Sequence, residues 1–208
     1  MPGRAPARTG LALLLLAAMA TATATAEPVT LSGITFSDEL GGFEIVDGRG
    51  SGTLGDPFVI VERIVTSQPT VLLVRGLTLE FGNAARTNHF SGFWLTKVAV
   101  NHSDQTWTGY RLELEDELGT ASPRLDGLSF GQSQPPVQRN FTADRFASMT
   151  VLDEPHDGIA FSRGAVPPGD RVAFTVVITH NGPSEEFFLV QRHEQSVAEV
   201  PEAGTEPL

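Results

Sequence analysis

The strongest constraint on the fold of this chain is an alternation of apolar and polar residues in several short segments. Between Arg171 and Ile178 every second residue is Val, Phe or Ile, and a period of two recurs in segments 71–81 and 106–118. Because successive side chains of a β-strand point to opposite faces, this period predicts strands with one buried and one solvated face. Such strands are typical of antiparallel sheets.

Two further segments, 58–65 and 93–100, are more evenly apolar, which predicts strands in the middle of a sheet. No window shows three turns of helical periodicity, although 142–149 could form one short helical turn. The sequence therefore predicts an all-β fold, an antiparallel β-sandwich of about nine to eleven strands with little or no helix. Turn signals separate the predicted strands, among them Gly41-Gly42, Asp47-Gly48, Asp126-Gly127, Asp157-Gly158 and Asn181-Gly182-Pro183.

The first 26 residues have the pattern of a secretory signal peptide. Arg4 and Arg8 form a positive region, Leu11 to Ala18 an apolar core, and Ala24-Thr25-Ala26 a cleavage site of small residues. We expect residues 1–26 to be removed and the mature protein to be periplasmic or secreted. No later segment is apolar enough to predict a membrane span after signal cleavage.

The remaining chain is predicted to be one β-sandwich domain, 27–193, followed by an acidic disordered tail, 194–208. The chain carries 25 acidic and 14 basic residues, so its net charge of -11 argues against a nucleic-acid binder. It contains no cysteine, which excludes disulfide bonds, a thiolate nucleophile and a thiolate-bound metal.

Three pieces of the chain carry a resemblance to a known kind of domain. Segment 98–101 followed by 107–114 has an Asn turn before a Trp-Thr-Gly strand, and 166–174 has a Pro-Pro-Gly turn before an alternating strand. With the glycine-rich segment 50–60, these pieces resemble immunoglobulin-like β-sandwich domains of exported bacterial proteins. The resemblance implies a scaffold whose loops carry any binding function.

One segment of the chain matches the sequence pattern of a catalytic motif. Gly127 to Gly131 matches the G-x-S-x-G pattern of serine hydrolases, with Ser129 as the nucleophile. That pattern requires a helix directly after the serine, and Pro135-Pro136 prevents one from beginning there. The alternative is a strand or turn in which Leu128 and Phe130 pack inward.

Acidic residues offer a second chemistry. Asp153, Glu154 and Asp157 form the densest acidic loop, and carboxylate oxygens in a loop suit a structural calcium ion. The spacing of a known calcium loop is absent, so the alternative is that these charges are solvated. No other cofactor is predicted.

The aromatic residues Trp94, Trp107 and Tyr110 offer a third chemistry. Exposed aromatic rings beside carboxylates can stack against sugar rings, which predicts a carbohydrate-binding module. The alternative is that these residues pack in the core, as tryptophan commonly does in β-sandwiches.

The interpretation that we favour is an exported, non-enzymatic β-sandwich that acts as an interaction or structural module. Its partner would be an unidentified protein or glycan of the cell envelope, contacted by the long polar loops 47–57, 82–92 and 131–141. A carbohydrate-binding module is the first alternative, and a secreted hydrolase is the second.

Overall fold

The computed structural model describes residues 28–123, 126–131, 141–182 and 185–195. The predicted signal peptide lies outside these residues, as do most of the predicted tail and most of the loop 131–141. The described residues form β-strands and no helix, which confirms the all-β prediction. The strands are β1 (Val29–Leu31), β2 (Ile34–Ser37), β3 (Phe43–Arg49), β4 (Phe58–Ile64), β5 (Thr70–Arg75), β6 (Ser91–Asn101), β7 (Trp107–Glu115), β8 (Leu128–Phe130), β9 (Thr142–Ala143), β10 (Phe146–Val151), β11 (Gly158–Gly164), β12 (Arg171–His180) and β13 (Glu186–Gln195).

The strands form two sheets. One has seven strands in the order β1-β2-β5-β13-β7-β11-β10, and the other has the order β3-β4-β6-β12-β8, with β9 also paired to β12. All strand pairs are antiparallel except β4 and β6, which run parallel. Both of these apolar strands lie inside the six-stranded sheet, as their sequences predict. No helix long and apolar enough to cross a membrane occurs in the described part of the chain.

Two local predictions are wrong. The alternation in 71–81 predicts one strand, but β5 ends at Arg75. Gly76 has a φ of 93°, and a Cβ there would lie 2.3 Å from the carbonyl oxygen of Gly33, so the backbone turns away from the sheet at this glycine. The helical turn predicted for 142–149 is instead the strands β9 and β10, which pair with β12 and β11.

Other boundaries shift by small amounts. The described residues contain thirteen strands, more than the sequence predicts, because β1, β8 and β9 have only two or three residues each. The last strand, β13, continues to Gln195, two residues into the segment that the sequence assigns to the tail.

The two sheets pack face to face. Their contact includes aromatic pairs, with the ring centroids of Tyr110 and Phe174 4.6 Å apart. One half of the interior is hydrocarbon, where the rings of Phe36, Phe58 and Phe93 meet edge to face at 5.3 to 6.1 Å. Burying such side chains is the main source of stability in a fold without disulfide bonds.

The other half of the interior contains a ring of polar side chains that links the sheets. Lys97 Nζ lies 3.1 Å from Glu62 Oε2 and donates to the Tyr110 hydroxyl at 3.2 Å. That hydroxyl donates to Gln191 Oε1 at 2.7 Å, and Gln191 Nε2 donates back to Glu62 Oε2 at 2.9 Å. All four side chains are buried. Burial raises the pKa of Glu62 and lowers the pKa of Lys97, because it disfavours both charged forms.

The strand pairing sorts the loops into two ends. His180 pairs with Ser91, and Arg75 pairs with Glu186, so the ends of β12 and β5 meet the starts of β6 and β13. The β3–β4, β5–β6, β7–β8 and β12–β13 connections therefore lie at one end, which we call the His180 end. The connections 38–42, 65–69, 102–106 and 165–170 lie at the opposite end.

Candidate functional site

The three aromatic residues predicted as a sugar-binding surface lie in packed surroundings. Trp107 is 0% exposed, Tyr110 1% and Trp94 9%. The Trp107 ring lies 4.7 Å from the His193 ring and 5.7 Å from the Tyr110 ring. Neither Trp107 nor Tyr110 presents an open ring face, so their positions match the core-packing alternative. Trp94 lies on the outer face of the six-stranded sheet and packs with Ala85 and Val177.

Ser129 is the central residue of β8 and pairs with Thr179. Its carbonyl oxygen accepts a hydrogen bond of 3.1 Å from the Thr179 hydroxyl, while the neighbouring Leu128 and Phe130 are buried. A nucleophile elbow places its serine on a sharp turn between a strand and a helix. The mid-strand position of Ser129 matches the alternative reading, in which Leu128 and Phe130 pack inward.

The three predicted calcium ligands differ in their surroundings. Asp153 and Glu154 are exposed, whereas Asp157 is buried and its Oδ2 accepts a hydrogen bond from the Phe130 backbone at 3.1 Å. Asp157 thus connects the β10–β11 turn to β8. Among the described residues, no group of three or more His, Asp or Glu side chains is placed to hold a metal ion. The calcium site stays a prediction.

A further acidic segment, 113–117, contains a carboxylate that is surrounded by cationic side chains. Glu113 contacts Arg111 at 3.0 Å and Arg192 at 2.7 Å, and it also pairs with His156. Burial acts to raise the pKa of Glu113, but these hydrogen bonds and positive charges hold it below its ordinary value. The charge of the Glu113 carboxylate is already neutralised by Arg111 and Arg192. Its role is therefore structural, on the outer face of the seven-stranded sheet.

A cleft of about 920 Å³ opens at the His180 end. It lies where β5 and β12 end and β13 begins, because the β5–β6, β7–β8 and β12–β13 connections converge there. Ligand-binding clefts commonly have volumes of about 300–1,000 Å³. The cleft is lined by Arg75, Gly76, Thr78, Asp116, Asp126, His180, Gly182, Glu185 and Glu186.

His180 is the most constrained side chain of this cleft. It is 3% exposed, and its Nδ1 accepts a hydrogen bond of 2.7 Å from the Gly182 backbone N–H. A ring nitrogen that accepts an N–H carries no proton, so the neutral ring carries its proton on Nε2. Nε2 is buried and has no hydrogen-bond partner in the described structure, and the nearest carboxylate oxygen, Asp116 Oδ1, is 3.8 Å away. An unsatisfied buried donor costs about 1–3 kcal/mol.

The charges of the cleft are unevenly balanced. The one guanidinium among its described lining residues, Arg75, is held by Glu39 at 2.8 Å and by Glu186 at 3.1 Å. The hydrogen bonds from Arg75 and Ser37 lower the pKa of Glu39 to about 2, and the same pairing raises the pKa of Arg75. Asp126 accepts the Leu128 N–H at 2.9 Å and the Ser122 hydroxyl. The cleft is therefore acidic.

A second, apolar groove of about 570 Å³ lies beside the 82–92 loop. Leu54 forms one wall, Ala84 and Ala85 form the other, and Trp94 lies at the groove with its indole N–H buried and unpartnered in the described structure. Residues of the 76–90 segment line both this groove and the acidic cleft, and the Phe90 N–H donates to Asn181 Oδ1 at 3.1 Å. Two of the three predicted contact loops, 47–57 and 82–92, thus meet at the His180 end.

Sequence reasoning did not single out His180 or the cleft. The available signal was the Asn181-Gly182 turn after an alternating strand, which places a histidine at a strand end. The other lining residues come from segments far apart in the chain. Their convergence depends on the pairing of β12 with β6 and of β13 with β5.

Comparisons with protein-family models, with curated proteins and with solved structures each find no match to this chain.

Proposed function

We propose that the protein is an exported, non-enzymatic interaction module of the immunoglobulin-like β-sandwich kind. Its binding surface is the His180 end, and its partner is a protein of the cell envelope. Export rests on the signal-peptide pattern of residues 1–26, which places the mature chain in the periplasm or outside the cell. The two sheets act as the rigid support from which the loops make contact.

The observation that carries this proposal is the distribution of exposed apolar side chains. Eight large hydrophobic residues are exposed in the described part of the chain, and four of them lie on loops of the His180 end. Leu54 is 70% exposed, Phe90 67%, Leu79 59% and Leu118 47%. Clustered apolar surface with a polar rim is typical of protein–protein contact regions.

The polar features of the same end support the proposal. The acidic cleft and the apolar groove are both lined by residues of the 76–90 segment, so one partner could contact both. The described part of the opposite end has two exposed large apolar residues on its loops, Leu40 and Val65.

The test compares matched surface variants at the two ends. We expect the double variant Leu54→Ser, Phe90→Ser to lose at least about fivefold in retention on immobilised cell-envelope protein, because central apolar contacts carry most of the binding free energy. The matched control is Leu40→Ser, Val65→Ser, which removes the same kind of side chain from the opposite end. A protease-treated envelope preparation separates a protein partner from a glycan partner.

Equal retention of the two double variants would contradict the proposal, and so would a greater loss from the control pair. Retention that survives protease treatment but is lost after glycan digestion would replace the protein partner with a glycan. All four positions are exposed, so we expect unfolding midpoints close to that of the unmodified protein.

A further inference from the structure

The acidic cleft of the His180 end has two features that a ligand could complement. One is an excess of negative charge, and the other is a buried hydrogen-bond donor without an acceptor in the described structure. Asp116, Asp126 and Glu185 place carboxylates in or at the cleft, while the charge of Arg75 is shared between Glu39 and Glu186. Among the described residues, no three of these acids converge closely enough to hold a metal ion. Negative charge spread over a cleft is matched by an extended organic cation rather than by a point charge.

The second feature is the buried hydrogen-bond donor of His180. Its Nε2 lies 3.8 Å from Asp116 Oδ1, which also lines the cleft, and this nitrogen is buried and lacks a hydrogen-bond partner in the described structure. Because Nδ1 is fixed by the Gly182 N–H at 2.7 Å, the ring cannot turn over without losing that bond. The N–H is therefore available to an acceptor atom, such as a carbonyl or hydroxyl oxygen, of a bound ligand.

The negative charge and the free N–H together indicate the chemical class of the ligand. A simple polyamine supplies positive charge but no acceptor, whereas a peptide with an arginine or lysine supplies a cationic side chain and backbone carbonyl oxygens together. Exposed Leu79 and Phe90 on the adjoining segment add apolar contacts that a peptide chain can use. An arginine guanidinium also pairs with carboxylates through two hydrogen bonds at once.

We propose that this cleft binds a basic peptide segment, with its arginine or lysine held by Asp116 and Glu185 and a backbone carbonyl accepting the His180 Nε2–H. The inference rests on the proposed function, since it assigns the chemistry of the partner at the same end of the molecule. The carboxylates select the basic side chain, and the histidine fixes the position of the peptide backbone.

The test is fluorescence anisotropy with a short labelled peptide amide of alternating glycine and arginine. The matched probe has citrulline, which is neutral and of the same shape, in place of arginine. We expect the arginine peptide to bind and the citrulline peptide not to bind. We also expect the affinity for the arginine peptide to decrease as sodium chloride is added. We expect Asp116→Asn to weaken binding about threefold and Asp116→Asn with Glu185→Gln about tenfold.

The matched control is Asp104→Asn, which makes the same charge change on an exposed loop of the opposite end and should leave the affinity unchanged. His180→Phe keeps a planar ring and removes the N–H, and we expect it to weaken binding of the arginine peptide. Because it also removes the acceptor of the Gly182 N–H, the exposed Asp116 variant decides the matter if His180→Phe fails to fold.

Several outcomes would overturn the inference. These are equal binding of the citrulline peptide, equal binding by Asp116→Asn, no binding of the arginine peptide at low salt, or tighter binding of a chitosan oligosaccharide, which would assign the cleft to an amino sugar. The Leu54 and Phe90 variants report on the proposed function separately. Loss of envelope retention in those variants with no peptide binding would reject the cleft ligand and keep the interaction module.

Discussion

The two ends of the sandwich have opposite distributions of polarity. At the His180 end the interior is hydrocarbon, with Phe36, Phe58 and Phe93 in contact, while the surface carries an acidic cleft and exposed apolar loops. Toward the opposite end the interior holds the ring of Glu62, Lys97, Tyr110 and Gln191. The polar ring joins one sheet to the other by hydrogen bonds, whereas the aromatic rings of the hydrocarbon half meet by packing alone.

The largest expected effect breaks the polar ring. Lys97→Met keeps the length of the side chain but leaves the Glu62 carboxylate buried without its cation, so we expect a loss of about 3–5 kcal/mol in the free energy of unfolding. Urea denaturation followed by tryptophan fluorescence measures it. The double variant Lys97→Met, Glu62→Gln should recover part of the loss, since no buried charge then remains.

The matched substitution in the hydrocarbon half is Phe93→Leu, where we expect a loss of only about 1.5 kcal/mol because neighbouring rings can adjust. A larger loss from Phe93→Leu than from Lys97→Met would contradict the contrast between the two halves. In that case the polar ring would stabilise the fold no more than ordinary packing does.

The smallest expected effect is on the stability of the folded protein at acidic pH. The pKa of Glu39 falls from 4.5 to about 2 in the folded protein through its hydrogen bonds with Arg75 and Ser37. A lowered pKa contributes stability that is complete above 4.5 and is lost as the pH falls toward about 2. Because both partners are partly exposed, with 38% and 44% of their side chains accessible, we expect a contribution below about 1 kcal/mol.

Glu39→Gln should therefore show a shallower decline of the unfolding midpoint between pH 4.5 and pH 2 than the unmodified protein. Thermal melts followed by circular dichroism give this comparison. Parallel curves would mean that the pairing of Glu39 with Arg75 contributes no pH-dependent stability.

The sequence predicted the strands well because burial on one face imposes a period of two. Segments 58–65 and 93–100, which are more evenly apolar, became the interior strands β4 and β6. Strand ends were harder to predict, because they depend on distant backbone. The end of β5 at Gly76 follows from the approach of Gly33, which no local pattern reveals.

The candidate site could not be predicted from local patterns either. Lys97 stands out as a charge within an apolar run, but its partner Glu62 lies across the parallel pairing of β4 and β6. His180 and Asp116 likewise become neighbours only when β12 and β7 end on the same side of the sandwich. The sequence identified Trp94 and the loops around it, and the pairing of the strands gave these loops a common end.

We propose that the His180 end is the surface through which this protein acts. The most direct test is photo-cross-linking with a benzophenone side chain placed at Phe90 or, as the control, at Val65, in cells that express the protein. Both positions are exposed, at 67% and 60%, so the two variants differ chiefly in their end of the molecule. We expect a discrete protein adduct from position 90 and none from position 65. Adducts from position 65 alone, or the same adducts from both, would contradict this proposal.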